Sequence, residues 1–385
     1  MKKLQSILTI LIMLGLTSVA HAQLPTKALT GEISGITRNL VNDTVYILTG
    51  FVYVEDGATL NIEAGTIIRG DKDTKGSLIV TKGSKIYALG TPDQPIVFTS
   101  NQPKGSRNYG DWGGIIILGD APINVAGGTA VIEGGVDTPE GDASYGGADA
   151  SDNSGSLTYV RIEYPGIAFV PGNEINGLTC GGVGSSTVLD HIMVSRSGDD
   201  AFEFFGGTVN GKYLIAHNTY DDDFDTDFGF QGKIQFGLVK RDPNFADVSG
   251  SNGFESDNDA TGSTNSPQTN PTFSNMTVVG PIQNAGDVIN VNYKRGAHLR
   301  RNTNTDIFNS VIIGYPSGIM VDGALCEASA TANSLKVQNS IIAGHNNDFE
   351  VAVGSSFDAN AWFTTAAYNN SILDLSSDVM LTDAY

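Results

Sequence analysis

The chain carries only two cysteines, Cys180 and Cys326, in 385 residues. It is therefore no disulfide-stapled scaffold, and the two thiols are expected to stay unpaired. Basic residues are scarce: 22 Lys and Arg stand against 42 Asp and Glu, for a net charge of −20. That balance argues against nucleic acid as a partner, because phosphate binding draws on a basic surface. It favours cations, neutral sugars, or acidic polymers bridged by a metal. Five histidines leave little for a histidine-based metal site. Past the N-terminus no apolar run is long enough to span a bilayer. Helical periodicity is missing too: the gaps between strand-like runs never fill with it.

Glycine, by contrast, is abundant at 47 residues, which implies many turns and few long helices. Residues 1–22 read as an export signal. Lys2 and Lys3 form its charged region, residues 7–16 its apolar region, and Ala20-His21-Ala22 its cleavage site. No cysteine follows, so this is not a lipoprotein signal. The expected location is secreted, extracellular or on the outer surface, with a mature start near Gln23.

Short β-type runs recur every 20 to 35 residues, the mark of a solenoid. Seven can be stacked: GLTCG (177–181), AFEFF (201–205), DFDTD (223–227), GFESD (253–257), DVINV (287–291), GIMVD (318–322) and DFEVA (348–352). Their anchors are Leu178, Phe202, Phe224, Phe254, Val288, Ile319 and Phe349. A second column, Asn275, Asn309, Asn339 and Asn370, follows four of these anchors by 20 or 21 residues. The pattern predicts an all-β fold, a single-stranded right-handed parallel β-helix (solenoid). Coils would stack ~4.8 Å apart. Residues 23–44 form a lead-in or cap, and 45–385 form the helix, with long loops near 133–156 and 257–272. Alternation turns the anchors inward, so the stacked phenylalanines are core.

Several strings bear a resemblance beyond periodicity: GFVYVEDGATLNIEAGTII, YGDWGGIIILG, NEINGLTCGGVGSST, SGDDAFEFFGG and YDDDFDTDFGF. They resemble a family of secreted bacterial β-helix proteins from bacteria that use type IX secretion, many of unknown function. The resemblance implies the fold and hardly constrains activity. At fold level the chain is also similar to pectate lyases and polygalacturonases, and fold does not fix function.

The outward positions beside the anchors gather carboxylates on three consecutive coils. Glu203, Asp225, Asp227, Glu255 and Asp257 form one patch, preceded by Asp199 and Asp200, then Asp221, Asp222 and Asp223. Two carboxylates one coil apart repel by about 1 kcal/mol in water and more at lower dielectric. Such a cluster stays wet, binds a cation, or holds protons. Calcium suits it, taking several oxygen ligands in flexible geometry. The calcium candidates are Asp199, Glu203, Asp221, Asp223, Asp227, Glu255 and Asp257. For catalysis the acid/base candidates are Asp200, Asp222 and Asp225, since paired carboxyls at this spacing permit glycoside hydrolysis. SGDDAFEF loosely resembles the paired-Asp motif of polygalacturonase-like hydrolases, but their Gly-His-Gly and Arg-x-Lys motifs have no match here. The basic residues, His298 and Arg300 among them, fall outside the carboxylate columns as stacked. Gly-Asp-Asp before an inward residue is also a good turn sequence.

The expected function is a non-catalytic β-helix that binds a polysaccharide or cell-surface glycan, is adhesive, or is structural. The alternative is a polysaccharide lyase or glycoside hydrolase acting in the acidic cleft. Exposed aromatics that would serve sugar binding are Phe205, Tyr213, Tyr220, Trp112 and Trp362.

Overall fold

A computed structural model describes residues 24–170 and 173–385. The export signal at 1–22 lies outside the described residues. The chain winds into a right-handed parallel β-helix in which a single 28-stranded sheet wraps around one core. Three faces repeat. The first face runs through Phe51–Val54 of one long strand, Ser77–Val80, Ile115–Leu118, Leu178–Gly181, Phe202–Phe205, Phe224–Asp227, Phe254–Ser256, Arg295–Leu299, Ser317–Val321 and Asn347–Val351, all paired in parallel. The second face includes Lys233–Gln235, Thr272–Ser274 and Asp306–Phe308, and the third Leu238–Lys240, Thr277–Val279 and Val311–Ile313. The ladder already starts at Thr26–Ser34 and Thr37–Leu40, inside the stretch read as a lead-in.

Strands form here because each carries branched or aromatic residues at alternate inward positions, and each coil can bury them only against the next. Phe202, Phe224 and Phe254 stack along the axis with ring centroids 5.2 and 5.9 Å apart. Phe204 stacks on Phe230 at 4.6 Å. Cys180 and Cys326 are buried and unpaired.

Six of the seven anchors share one inward column, and Val288 does not. The rung after Phe254 is Ala297, and Val288 is 95% exposed in the excursion between the third and first faces. DVINV alternates as a strand would, while the true rung, RGAHL, offers only an alanine. The asparagine column is likewise shifted at its end. Asn275, Asn309, Asn339 and Asn369 hold the left-handed bend, which asparagine tolerates better than most residues. Asn370, the residue expected there, instead accepts from the Ser340 amide and donates to the Val337 and Phe363 carbonyls.

The excursion near 133–156 is more than a surface loop. Its Ile132, Val136, Ala143 and Tyr145 cover outward side chains of the early first face, Tyr53, Ile79, Ile116 and Leu118. That cover extends to Phe205, on the strand that carries Glu203. The excursion after Asp257 spans the gap between Phe254–Ser256 and Thr272–Ser274.

Candidate functional site

Strand pairing fixes the site. Thr179, Glu203, Asp225, Glu255 and His298 are consecutive outward rungs of the first face. Beside them runs a ladder at the start of each rung. Asn176 Oδ1 accepts the Asp200 amide at 3.3 Å, Asp200 Oδ1 accepts the Asp222 amide at 2.8 Å, and Asp222 Oδ1 accepts the Asn252 amide. Asp200 and Asp222 therefore each fix the turn of the following coil, which is how a Gly-Asp-Asp turn repeats.

The two columns enclose a cleft of about 240 Å³ lined by Glu133, Glu174, Asn176, Asp199, Asp200, Glu203, Asp221, Asp222, Asp225, Ser249, Gly250, Glu255 and Arg300. Burial, and then the neighbouring carboxylates, push Asp199, Asp200, Glu203, Asp222 and Asp225 well above the usual carboxylate range. Burial takes Asp221 to about 6, with Ser249 pulling the other way. Asn176 donates to Glu133 at 3.0 Å and also to Glu203. One oxygen of Asp221 and one of Asp225 are buried with no hydrogen-bond partner.

Three triplets bring ligand oxygens within 4.8 Å of one another: Asp199, Asp200 and Asp221; Asp200, Glu203 and Asp225; Asp222, Asp225 and Glu255. The donor set is all carboxylate, which fits a hard divalent cation such as calcium. Asp199, Asp200, Glu203, Asp221, Asp222, Asp225 and Glu255 thus meet in one place, whereas three candidates do not line the cleft. Asp223 turns into the core and forms an ion pair at 3.0 Å with Arg241, both side chains fully buried, so it is not available as a surface ligand. Asp257 is held by Arg300 at 2.7 Å and Arg301 at 2.8 Å. Asp227 accepts its neighbour's amide, from Phe228, and burial lifts it to about 7.

Residues that the sequence stacking left out stand in the cleft, as Arg300 and Glu133 do, or beside it, as His298 does. His298 follows Glu255 in the outward column, with Nδ1 3.4 Å from Glu255 and Nε2 3.1 Å from Asp322. Arg300 pairs with Glu255 as well as Asp257. Anchoring that coil at Val288 rather than Ala297 displaces both. Glu133 arrives from the early excursion, where a Gly- and Asp-rich stretch gives no periodic signal. Of the aromatics, Trp112, Trp362 and Phe205 are buried, Tyr220 is half-buried, and Tyr213 is exposed.

The family described as a pectate-lyase like beta helix domain matches residues 31–377. The chain belongs to this family. No curated protein matches it. Among solved structures, the Dettilon tailspike protein is similar at 13% identity and a TM-score of 0.30, over 89% of this chain and 62% of the tailspike chain. The chain thus spans less than two thirds of that protein's length. This pectate-lyase-like chain has no described helix long and apolar enough to cross a membrane.

Proposed function

We propose that the protein is an exported, non-catalytic carbohydrate-binding β-helix whose acidic cleft takes a divalent cation, calcium by its donor set. The observation that carries this reading is the three overlapping carboxylate triplets within 4.8 Å, which include Asp221 and Asp225 with their unpartnered buried oxygens. Arg300 is the one basic side chain lining the cleft, and it is already shared between Glu255 and Asp257. An added positive charge removes the repulsion that stacking imposes. Asp225 and Glu203 would hold the ion, with Asp199, Asp221 and Glu255 at its flanks. When bound, the ion supplies an electrophilic centre for sugar hydroxyls or a uronate carboxylate. Asp200 and Asp222 keep the coils in register.

Calorimetric titration of calcium into the protein tests the first step, and no heat at millimolar metal would defeat it. Retention on polysaccharide with and without chelator tests the second.

One observation favours a second reading, glycoside hydrolysis. Glu203 and Asp225 lie one coil apart, and burial raises both, so the two carboxyls are placed to share a proton as an acid and its partner carboxylate do. New reducing ends from a polysaccharide panel, lost in Asp225→Asn with the fold retained, would establish it in place of the binding role.

A further inference from the structure

A second site stands apart from the acidic cleft, at the bend between the second and third faces. One residue per coil sits there with positive φ. Tyr159, His191, Tyr213 and Phe236 come first, at 49°, 53°, 55° and 64°, followed by Asn275, Asn309 and further asparagines. Asparagine is what this backbone favours; bulky rings are not. Tyr159, Tyr213 and Phe236 therefore occupy positions their backbone does not select for, whereas histidine, like asparagine, is enriched there. The four rings stack continuously, with centroids 4.3, 4.3 and 4.9 Å apart. Beside them the next outward column supplies Met193, Ile215 and Leu238, and together these line a groove of about 560 Å³.

The groove is mostly apolar with a few polar groups, the usual make-up of a small-ligand site. The only basic side chains lining it, Arg161 and His191, each have an acidic partner beside them, Glu163 and Asp190. On a chain of net charge −20 the lining itself carries no acidic residue, which suits an uncharged ligand. The ring ladder ends at Phe236. Phe236 stacks on Tyr213 through one face; on the other side the next rung is Asn275, and among the described residues no ring covers that face. Phe236 is 39% exposed and Leu238 42%.

We propose that this groove binds uncharged carbohydrate, with the apolar face of one pyranose ring lying against Phe236 and Leu238 beside the ring ladder. This site is independent of the cation and of the cleft.

Affinity electrophoresis in gels containing a soluble β-glucan, α-glucan, xylan or mannan, with chelator present, tests it. The wild type is expected to be retarded by at least one of these neutral polymers. Phe236→Asn, which installs the residue the later coils use, is expected to cut that retardation at least fivefold with Tm unchanged. Phe236→Leu keeps apolar bulk without a flat ring and should lose it too, while Phe236→Tyr should retain it. Asp225→Asn should leave it intact, so failure of the cleft reading shows only in calcium-dependent retention. The proposal is overturned if no neutral polymer retards the wild type, or if Phe236→Asn and Phe236→Leu bind as well as wild type. It is also overturned if sedimentation shows a dimer that Phe236→Asn dissolves, which would assign the face to a second copy.

Discussion

On the first face Glu203, Asp225 and Glu255 stack rung on rung; at the bend between the other faces Tyr159, His191, Tyr213 and Phe236 do the same. The helix imposes one spacing on both columns. For rings that spacing is an attraction, worth about 0.5–1.5 kcal/mol per pair beyond burial. For carboxylates it is a repulsion that something else must offset. A solenoid therefore turns one choice of residue into either a self-sufficient column or one in need of a counter-ion. Within the acidic stretch the same contrast appears at closer range: Asp223 has a buried arginine as its counter-charge, and Asp225 two residues on is surrounded mainly by other carboxylates, Glu255, Asp257 and Asp227.

The largest effect is expected from removing the counter-charge of the buried acid. Arg241→Ala strands Asp223 in the core and should lower unfolding free energy by about 3–5 kcal/mol in denaturant titration. Asp225→Asn, by contrast, removes repulsion and should be neutral or stabilising in chelator. An equal loss in both variants would erase the distinction between the two acids.

Next in size is calcium itself. At a hundred times its dissociation constant it should add about 2.7 kcal/mol to the stability of the wild type, and none to Asp225→Asn. Thermal unfolding with calcium against chelator reads this directly.

A smaller effect follows pH. Burial raises the folded-state values of the cleft carboxyls, to about 6 for Asp221, and takes Asp227 beside them to about 7. The folded protein thus holds protons that the unfolded chain has released. As pH falls from 8 to 5 these two acids should add about 4 kcal/mol in chelator, and His345, which burial lowers to about 4, should offset about 2 of it, for a net rise of about 2 kcal/mol. Calcium needs the ionised forms, so its stabilisation should fade over the same window. A chelated protein most stable at pH 8 would contradict the assigned burial.

The smallest change is expected in the ring ladder. Phe236→Asn loses one ring contact and gains a residue suited to the left-handed bend, for a net shift within about 0.5 kcal/mol by urea unfolding.

Much of this was legible in the sequence because the inward column is strongly patterned. Phe202, Phe224 and Phe254 announce their own rungs, and alternation then places Glu203, Asp225 and Glu255 outside. The reading failed where a coil's signal was weak and an excursion's was strong. Ala297 is too small to mark a rung, so exposed Val288 took its place and His298 and Arg300 dropped out of the site. Asp223 has the parity of Asp225, but it precedes the strand, where the bend turns it inward to Arg241. Glu133 reaches the cleft through tertiary folding of an aperiodic loop. The left-handed bend shows in the sequence only where asparagine occupies it, so the aromatic half of that column stayed hidden.

Phe254 and Ala297 are neighbours in space although two excursions and two other strands lie between them along the chain. The ladder does not register how much polypeptide is spooled out between its rungs. Loop closure penalises added length only weakly, about 0.6 kcal/mol per doubling. Loops joined to these rungs can therefore be exchanged as cassettes, and Ser249 and Gly250 already hang over the acidic cleft from one of them. A nick near Val288 should leave two fragments zipped together by their strands, eluting as one particle until denaturant separates them.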